Sequence, residues 1–216
     1  MKEMDLSYND LSSLSGDLLA CGVYQLERAI LHHTNISDYS TLKILKKVMD
    51  KSRLKHLDIG GDLRAIDPQV IAQSFNRLNF VTINTEMTHL NKMTILQLFQ
   101  VMSHQTTLKR MDFAYRDLSS VPSQIFAEAV TNIEEVILLE TKLTMDQILK
   151  TFQKITKKKT LQYLDIRGCS LEGVTKDLFL GARENCHFIL HDYDSDVLPK
   201  IFISDTREFG NKRKIV

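Results

Sequence analysis

The amino-acid sequence predicts an α/β solenoid, with short parallel strands along one side and helices along the other. The first observation is an internal repeat: residues 1–25 align with residues 108–132, and ten of the 25 positions are identical. The second is a shorter hydrophobic pattern, L-x-x-L-x-L-x-x-N/C/T-x-L, whose copies start 24 to 30 residues apart. The third is helical spacing between these copies. Such periods indicate an array in which each unit packs only on its neighbours.

Each copy of L-x-x-L-x-L predicts one strand, because its last two apolar positions alternate as residues on one strand face do. We expect strands near residues 3–6, 28–31, 55–59, 80–83, 109–113, 135–138 and 162–166. Gly60–Gly61 is interpreted as a shortened strand exit. An eighth copy starts at Cys186, and in it we expect Ile189 to face inward. Leu190 would then hold the position that Ile137 holds in the sixth copy.

The segments between the strands carry helical spacing. In residues 144–159, Ile148, Phe152 and Ile155 recur at intervals of four and three, with lysines elsewhere. Thr144 suits a helix cap, and Pro122 suits the first turn of another helix. We expect helices near 16–23, 38–52, 67–77, 91–104, 121–131, 144–157 and 174–183.

The polar position of the pattern predicts a hydrogen-bonding role at the strand exits. A short polar side chain that points inward can bond main-chain groups which the turn leaves unpaired. Asn9, Thr34, Thr141 and Cys169 suit that role. Arg116 is too long for it, and we expect its side chain to reach outward.

The copies start 25, 28, 24, 30, 25, 28 and 25 residues apart, so short and long units alternate with a period of 53 or 54. This repeated pattern resembles the leucine-rich repeat family, and the alternation resembles its ribonuclease-inhibitor-like subfamily. The resemblance covers nearly the whole chain. It implies a horseshoe with the strands on the concave face, the helices on the convex face and a protein-binding function.

Two segments are expected: an array of about seven units over residues 1–185, and a C-terminal cap and tail over residues 186–216. The first unit would present an uncovered apolar edge at Met1, Met4 and Leu6. This edge suggests either further repeats joined to it or self-association.

Composition excludes several classes of partner. The chain has 28 Lys plus Arg against 27 Asp plus Glu, so it lacks the strongly basic face that nucleic acid or an anionic membrane selects. No apolar run is long enough to span a membrane. Three scattered cysteines favour a reducing compartment. We expect a cytoplasmic protein, with a nuclear location as the alternative because Lys157–Lys159 and the KRK of the tail are basic.

No residue pattern predicts catalysis, a cofactor or a metal. His32 and His33 are a conceivable metal-binding pair, but adjacent strand residues face opposite sides of a sheet, which disfavours a shared ion. No nucleophile, base and orienting group occur together. We therefore expect a protein that is not an enzyme.

The expected function is that of a protein-binding scaffold. Positions that flank the inward leucines point away from the core, and exposed aromatic residues and arginines dominate protein interfaces. The predicted binding surface lies on the concave face between the second and seventh strands and is centred on Phe80, Arg110, Asp112, Tyr115, Ile137 and Tyr163. The alternative is a repeat segment of a longer receptor or ubiquitin-ligase adaptor, in which the N-terminal edge makes the contact.

Overall fold

The computed structural model describes residues 2–50, 53–104 and 107–190 of the chain. It is an α/β solenoid, as the sequence predicts. Its strands are β1 (Glu3–Asp5), β2 (Arg28–Leu31), β3 (His56–Asp62), β4 (Phe80–His89), β5 (Arg110–Asp112), β6 (Glu135–Ile137), β7 (Tyr163–Asp165) and β8 (His187–Ile189). Its helices are α1 (Gly16–Tyr24), α2 (Asp38–Met49), α3 (Pro68–Asn76), α4 (Lys92–His104), α5 (Ser123–Thr131), α6 (Met145–Ile155) and α7 (Lys176–Arg183).

The eight strands form one open sheet in sequence order, and every neighbouring pair is parallel. One helix follows each of the first seven strands, so each of the first seven repeats contributes one strand and one helix. The second residue of each strand faces the helices. Leu57, Val136 and Leu164 at this position are at most 1% exposed.

Two strands are longer than the repeat pattern predicts. Gly60 and Gly61 continue β3 instead of ending it, and β4 continues to His89. The register changes where they meet, since Ile59 pairs with Ile83 but Gly61 pairs with Thr88. The extra residues of β4 are accommodated by this irregularity, so the expectation of a shortened exit at Gly60–Gly61 is wrong.

The eighth unit is displaced by one residue from the predicted frame. Asp165 of β7 pairs with Ile189 rather than with Leu190. Phe188 faces the core instead, where its ring stacks 5.1 Å from that of Phe152 and lies 5.5 Å from that of Phe179. The cause is that one residue, not two, separates Cys186 from the inward position of β8. β8 lies inside the segment assigned to the cap, and residues 191–216 of that segment lie outside the described residues.

The helices start at the capping residues that their sequences contain. The side chains of Ser15, Ser37, Asp67, Thr144 and Thr175 each accept a hydrogen bond from a main-chain N–H of the first turn. Gln147 completes the cap of α6, because its side chain accepts from the N–H of Thr144 at 2.7 Å. Pro122 precedes α5 by one residue and makes no side-chain cap bond.

The polar positions after the strands bond main-chain carbonyls, as predicted. The Thr34 hydroxyl donates to the Leu31 carbonyl at 2.6 Å, and the Cys169 thiol donates to the Leu138 carbonyl at 3.0 Å. The Asn9 side chain donates to the Leu6 carbonyl at 3.0 Å. Arg116 is partly exposed. The Cys169 bond links the exits of β6 and β7, whereas the bonds of Thr34 and Asn9 close their own turns.

Candidate functional site

The concave face, on the side of the sheet opposite the helices, carries two parallel rows of side chains. The first row comes from the first residue of each strand: Glu3, Arg28, His56, Phe80, Arg110, Glu135, Tyr163 and His187. The second row lies two residues further along: Asp5, Ile30, Asp58, Thr82, Asp112, Ile137, Asp165 and Ile189. Neighbours in a row are about 4.8 Å apart.

Five of the six predicted site residues fall in these rows on adjacent strands. Phe80, Arg110 and Tyr163 belong to the first row on β4, β5 and β7. Asp112 and Ile137 are partners in the second row on β5 and β6. The sixth, Tyr115, lies beyond the end of β5 in the turn that leaves the strand.

The first row contains contacts between side chains of neighbouring strands. The Phe80 ring lies 5.7 Å from the His56 ring, and the Tyr163 ring lies 5.7 Å from the His187 ring. The Nε atom of Arg110 is 3.7 Å from a Glu135 carboxylate oxygen, with both side chains nearly half exposed. An ion pair this exposed contributes about 0–1 kcal/mol. Arg110 therefore remains available to a partner at little cost.

The aspartates of the second row have a structural role that the repeat pattern alone does not predict. β1, β5 and β7 each end at such an aspartate. The carboxylates of Asp5, Asp112 and Asp165 accept the main-chain N–H two residues later, at 2.9, 2.9 and 3.2 Å. Short side chains of this type stabilise turns by that bond. Asp112 therefore holds its own turn, and burial raises its pKa.

Asp58 is the exception, because β3 continues past it. One of its carboxylate oxygens lies 3.0 Å from Nδ1 of His32, and the other is buried without a hydrogen-bond partner among the described residues. Tyr8 completes this corner: its ring stacks on that of His33 at 4.7 Å and meets that of His32 edge-on at 5.4 Å.

The two histidine rings lie together, 5.4 Å apart, contrary to the alternation argument. His33 follows β2 with a φ of 55°, in the left-handed region, so strand alternation does not apply to it. In the described ranges 2–50, 53–104 and 107–190, no group of three His, Cys, Asp or Glu residues is arranged to hold a metal ion.

Tyr115 occupies a turn position that recurs along the array. The residue three places after the second-row position has a positive φ in Tyr8, His33, Tyr115, Glu140 and Gly168. Only glycine adopts this conformation without a steric penalty. At Gly168 a Cβ atom would also come within 2.7 Å of the Glu140 side chain. Tyr115 is 58% exposed at the rim of the concave face.

Comparison with known proteins identifies the repeat. Residues 160–181 match the family model described as Leucine Rich Repeat. The matched segment contains β7 and the beginning of α7, and the same strand-and-helix unit recurs along the sheet. No curated protein matches the chain. A leucine-rich repeat suggests a protein-interaction scaffold. In the described part of the chain, no helix combines the length and the apolar character needed to cross a membrane.

Proposed function

We propose that the chain is a non-catalytic protein-binding scaffold that holds another protein on its concave face between β2 and β7. The observation that carries this proposal is a set of apolar and aromatic side chains that lie outside the core. Phe80, Ile137 and Tyr163 are partly exposed on the face opposite the helices. Their neighbours are polar, which makes a strip of alternating apolar and charged groups.

The partner that fits this strip has apolar anchors surrounded by polar groups. Ile137 lies between Asp112 and Asp165 in the second row. Of these two acids, Asp165 is already bound by the Arg167 guanidinium at 2.6 Å. The apolar side chain therefore offers the main gain on burial, and the charged groups around it select the orientation of the partner.

Two finer assignments belong to this proposal. The alternation of short and long repeats supports the ribonuclease-inhibitor-like subfamily.

The cysteines support a reducing compartment, cytoplasmic or nuclear, since Cys21, Cys169 and Cys186 are free thiols and Cys169 uses its thiol as a buried hydrogen-bond donor. The near-neutral charge of the chain, +1, disfavours nucleic acid as the partner.

The N-terminal edge of the sheet supports a second candidate, which includes self-association and attachment to further repeats of a longer receptor or ligase adaptor. β1 is the first strand in the sheet order. Met4 and Leu6 are only partly buried there, and Leu18 of α1 is 62% exposed. Covering this edge would bury apolar area.

Site-specific photo-crosslinking separates the faces. A benzophenone side chain is placed at Tyr163 on the concave face or at Tyr39 on α2, which is 57% exposed. The proposal expects a discrete cross-linked protein from Tyr163 that disappears when Ile137→Arg is added. Cross-links from Tyr39 alone, or no effect of Ile137→Arg, would contradict it.

A second pair of variants tests the edge. Met4→Glu with Leu6→Glu is compared with Ile137→Arg by sedimentation and by the same cross-linking assay. If the edge variant abolishes capture while Ile137→Arg leaves it intact, the β1 edge is the interface. Matching thermal midpoints for the two proteins exclude unfolding as the cause.

A further inference from the structure

The first repeat can be compared directly with the fifth, because residues 1–25 align with residues 108–132. Their helices, α1 and α5, are both nine residues long. α4 packs against α5 from the preceding repeat, and the rings of Phe99 and Phe126 lie 5.4 Å apart across that interface. The fifth repeat therefore shows which contacts a unit of this kind makes when another unit precedes it.

One side of α1 lacks the cover that the same side of α5 has. Leu14, just before α1, is 39% exposed, whereas its counterpart Val121 is 3% exposed. Gly22 is exposed, whereas its counterpart Ala129 is 0% exposed. Leu18, which is 62% exposed, lies four residues from both Leu14 and Gly22 and so shares their side of the helix. These positions form an uncovered stripe whose counterparts in α5 are largely buried.

An amide side chain stands at the end of this stripe. Asn132, which ends α5, donates to two main-chain carbonyls in the last turn of α4, at 2.8 and 3.0 Å. Asn185, after α7, donates in the same way to the Ile155 carbonyl at the end of α6, at 2.9 Å. Gln25 ends α1, is exposed, and has no side-chain hydrogen bond among the described residues. A helix that ran beside α1 in the same direction would bring free carbonyls to Gln25.

Gly22 has no reason within the described chain to be glycine. It lies inside α1, and a Cβ atom added there would meet nothing within 4 Å. Glycine destabilises the interior of a helix relative to alanine, and it is suited to places where another element approaches closely. Its counterpart Ala129 is also small, and that position is buried. Gly22 therefore fits a close contact made from outside the chain.

The direction of an incoming unit follows from charge and from the amide bonds. If a second copy paired its β1 antiparallel about Met4, Glu3 would stand opposite Asp5 of that copy, and like charges opposite each other destabilise a sheet. The amide bonds at the ends of α5 and α7 join helices that run in the same direction. The uncovered stripe thus fits a helix parallel to α1 better than it fits its own reversed copy.

We infer that the N-terminal face docks a strand-and-helix repeat unit of another polypeptide. This face comprises the free edge of β1 together with Leu14, Leu18, Gly22 and Gln25. β1 is paired on one side only, with β2, so the partner's strand extends the sheet in parallel and its helix lies along α1. The inference rests on the proposed function as a protein-binding scaffold and specifies the partner at its N-terminal edge.

The test uses a fluorescein-labelled peptide of residues 78–107, which contains β4 and α4 and is the unit that precedes α5. Fluorescence anisotropy with the whole chain should show saturable binding. Gly22→Arg should weaken this binding about tenfold or more, because the long side chain prevents close approach. Gln25→Glu should also weaken it, since a carboxylate repels helix carbonyls, whereas Gln25→Asn should retain it.

Gln73→Arg is the matched control, because it adds the same charge at an exposed position of α3 and should leave binding unchanged. Gly22→Arg should not lower the thermal midpoint, since arginine favours a helix more than glycine does. A peptide carrying Leu98→Pro has a broken helix and should not bind. Absence of binding, equal binding to the Gly22→Arg chain, or equal binding of the Leu98→Pro peptide would each overturn the inference.

Sedimentation of the whole chain checks the other occupant. A dimer of the chain that Gly22→Arg dissociates would overturn the inference in favour of a second copy. Gly22 lies on the helix side of the sheet, so Gly22→Arg should leave the cross-link from Tyr163 unchanged. Failure of peptide binding therefore leaves the concave-face proposal to be judged by its own cross-linking test.

Discussion

The Thr141 hydroxyl donates a hydrogen bond to the main-chain carbonyl of Phe113, 3.0 Å away, and so connects the exits of β5 and β6. Thr141 is 3% exposed, and the thiol of Cys169 lies 3.4 Å from the Thr141 carbonyl. One buried polar side chain thereby belongs to a chain of bonds that crosses three repeats. The regular stacking of strand exits depends on bonds of this kind.

Thr141→Val tests this connection. The change keeps the side-chain shape and removes the donor, which leaves the Phe113 carbonyl without this bond, at a cost of about 1–3 kcal/mol. Chemical denaturation should show this loss of unfolding free energy, while the dependence of that free energy on denaturant concentration stays unchanged. Thr160→Val is the control, because Thr160 is exposed and should change stability by less than about 0.5 kcal/mol. Equal stability of both variants would show that the hydrogen bond makes no net contribution to the free energy of unfolding.

The sequence predicts the helices and most of the strands because their signals are local. The period of two in L-x-L and the helical period of residues 144–159 depend only on neighbouring side chains. The first seven strands and all seven helices that the structure describes begin within three residues of their expected positions. The frame of β8 could not be predicted in this way, because both Phe188 and Ile189 are apolar and only pairing with β7 selects between them.

The sequence predicts which site residues share a row of the sheet, but it does not predict the conformation of the turns that follow the strands. Phe80, Arg110 and Tyr163 share a row because every strand repeats the same alternation. The Tyr8 corner depends on the positive φ of His33 and on the continuation of β3 past Asp58, which are tertiary features. One available signal was missed: Asp-x-Ser occurs at Asp5, Asp10 and Asp117 and is typical of a turn capped by its own aspartate.

Leu138→Ala tests the register of the core. Leu138 is 1% exposed in an interior repeat, and truncating a buried leucine removes about 2–5 kcal/mol. Leu139→Ala is the control at the next position, which is only partly buried, and it should cost less. Denaturant titration of both proteins measures the difference. A larger loss for Leu139 would mean that the inward face has been assigned to the wrong residues.

Gly168→Ala and Gly22→Ala should change stability in opposite directions. Gly168 has a φ of 74°, and an added Cβ would lie 2.7 Å from the Glu140 side chain. Alanine there should cost about 1–2 kcal/mol. Gly22 lies in α1, and its Cβ would meet nothing within 4 Å, so alanine should stabilise by about 0.5–1 kcal/mol. Thermal unfolding of the two variants distinguishes them. A stabilising Gly168→Ala would show that the turn does not require glycine.

Asp5 and Asp112 hold the same position in two repeats, but their pKa values are shifted in opposite directions from the ordinary value of 3.8. The side-chain and main-chain hydrogen bonds of Ser7 lower the pKa of Asp5, whereas burial raises that of Asp112. The charged form of Asp5 therefore stabilises the fold above pH 3.8, and this contribution is lost as pH falls through its lowered pKa. The charged form of Asp112 has a cost that appears as pH rises through 3.8 and is complete above its raised pKa.

Asp112→Asn should consequently raise the thermal midpoint at neutral pH, since an asparagine oxygen can still accept the Ala114 N–H at this turn. The gain should disappear near about pH 2.5, where both aspartates are largely protonated in the unfolded chain. Asp5→Asn should lower the midpoint at neutral pH, and its deficit should shrink over the same range. Midpoints of both variants and of the wild-type chain are measured by circular dichroism at a series of pH values. If the two variants change the midpoint in the same direction at neutral pH, the contrast between a buried and an exposed turn carboxylate is wrong.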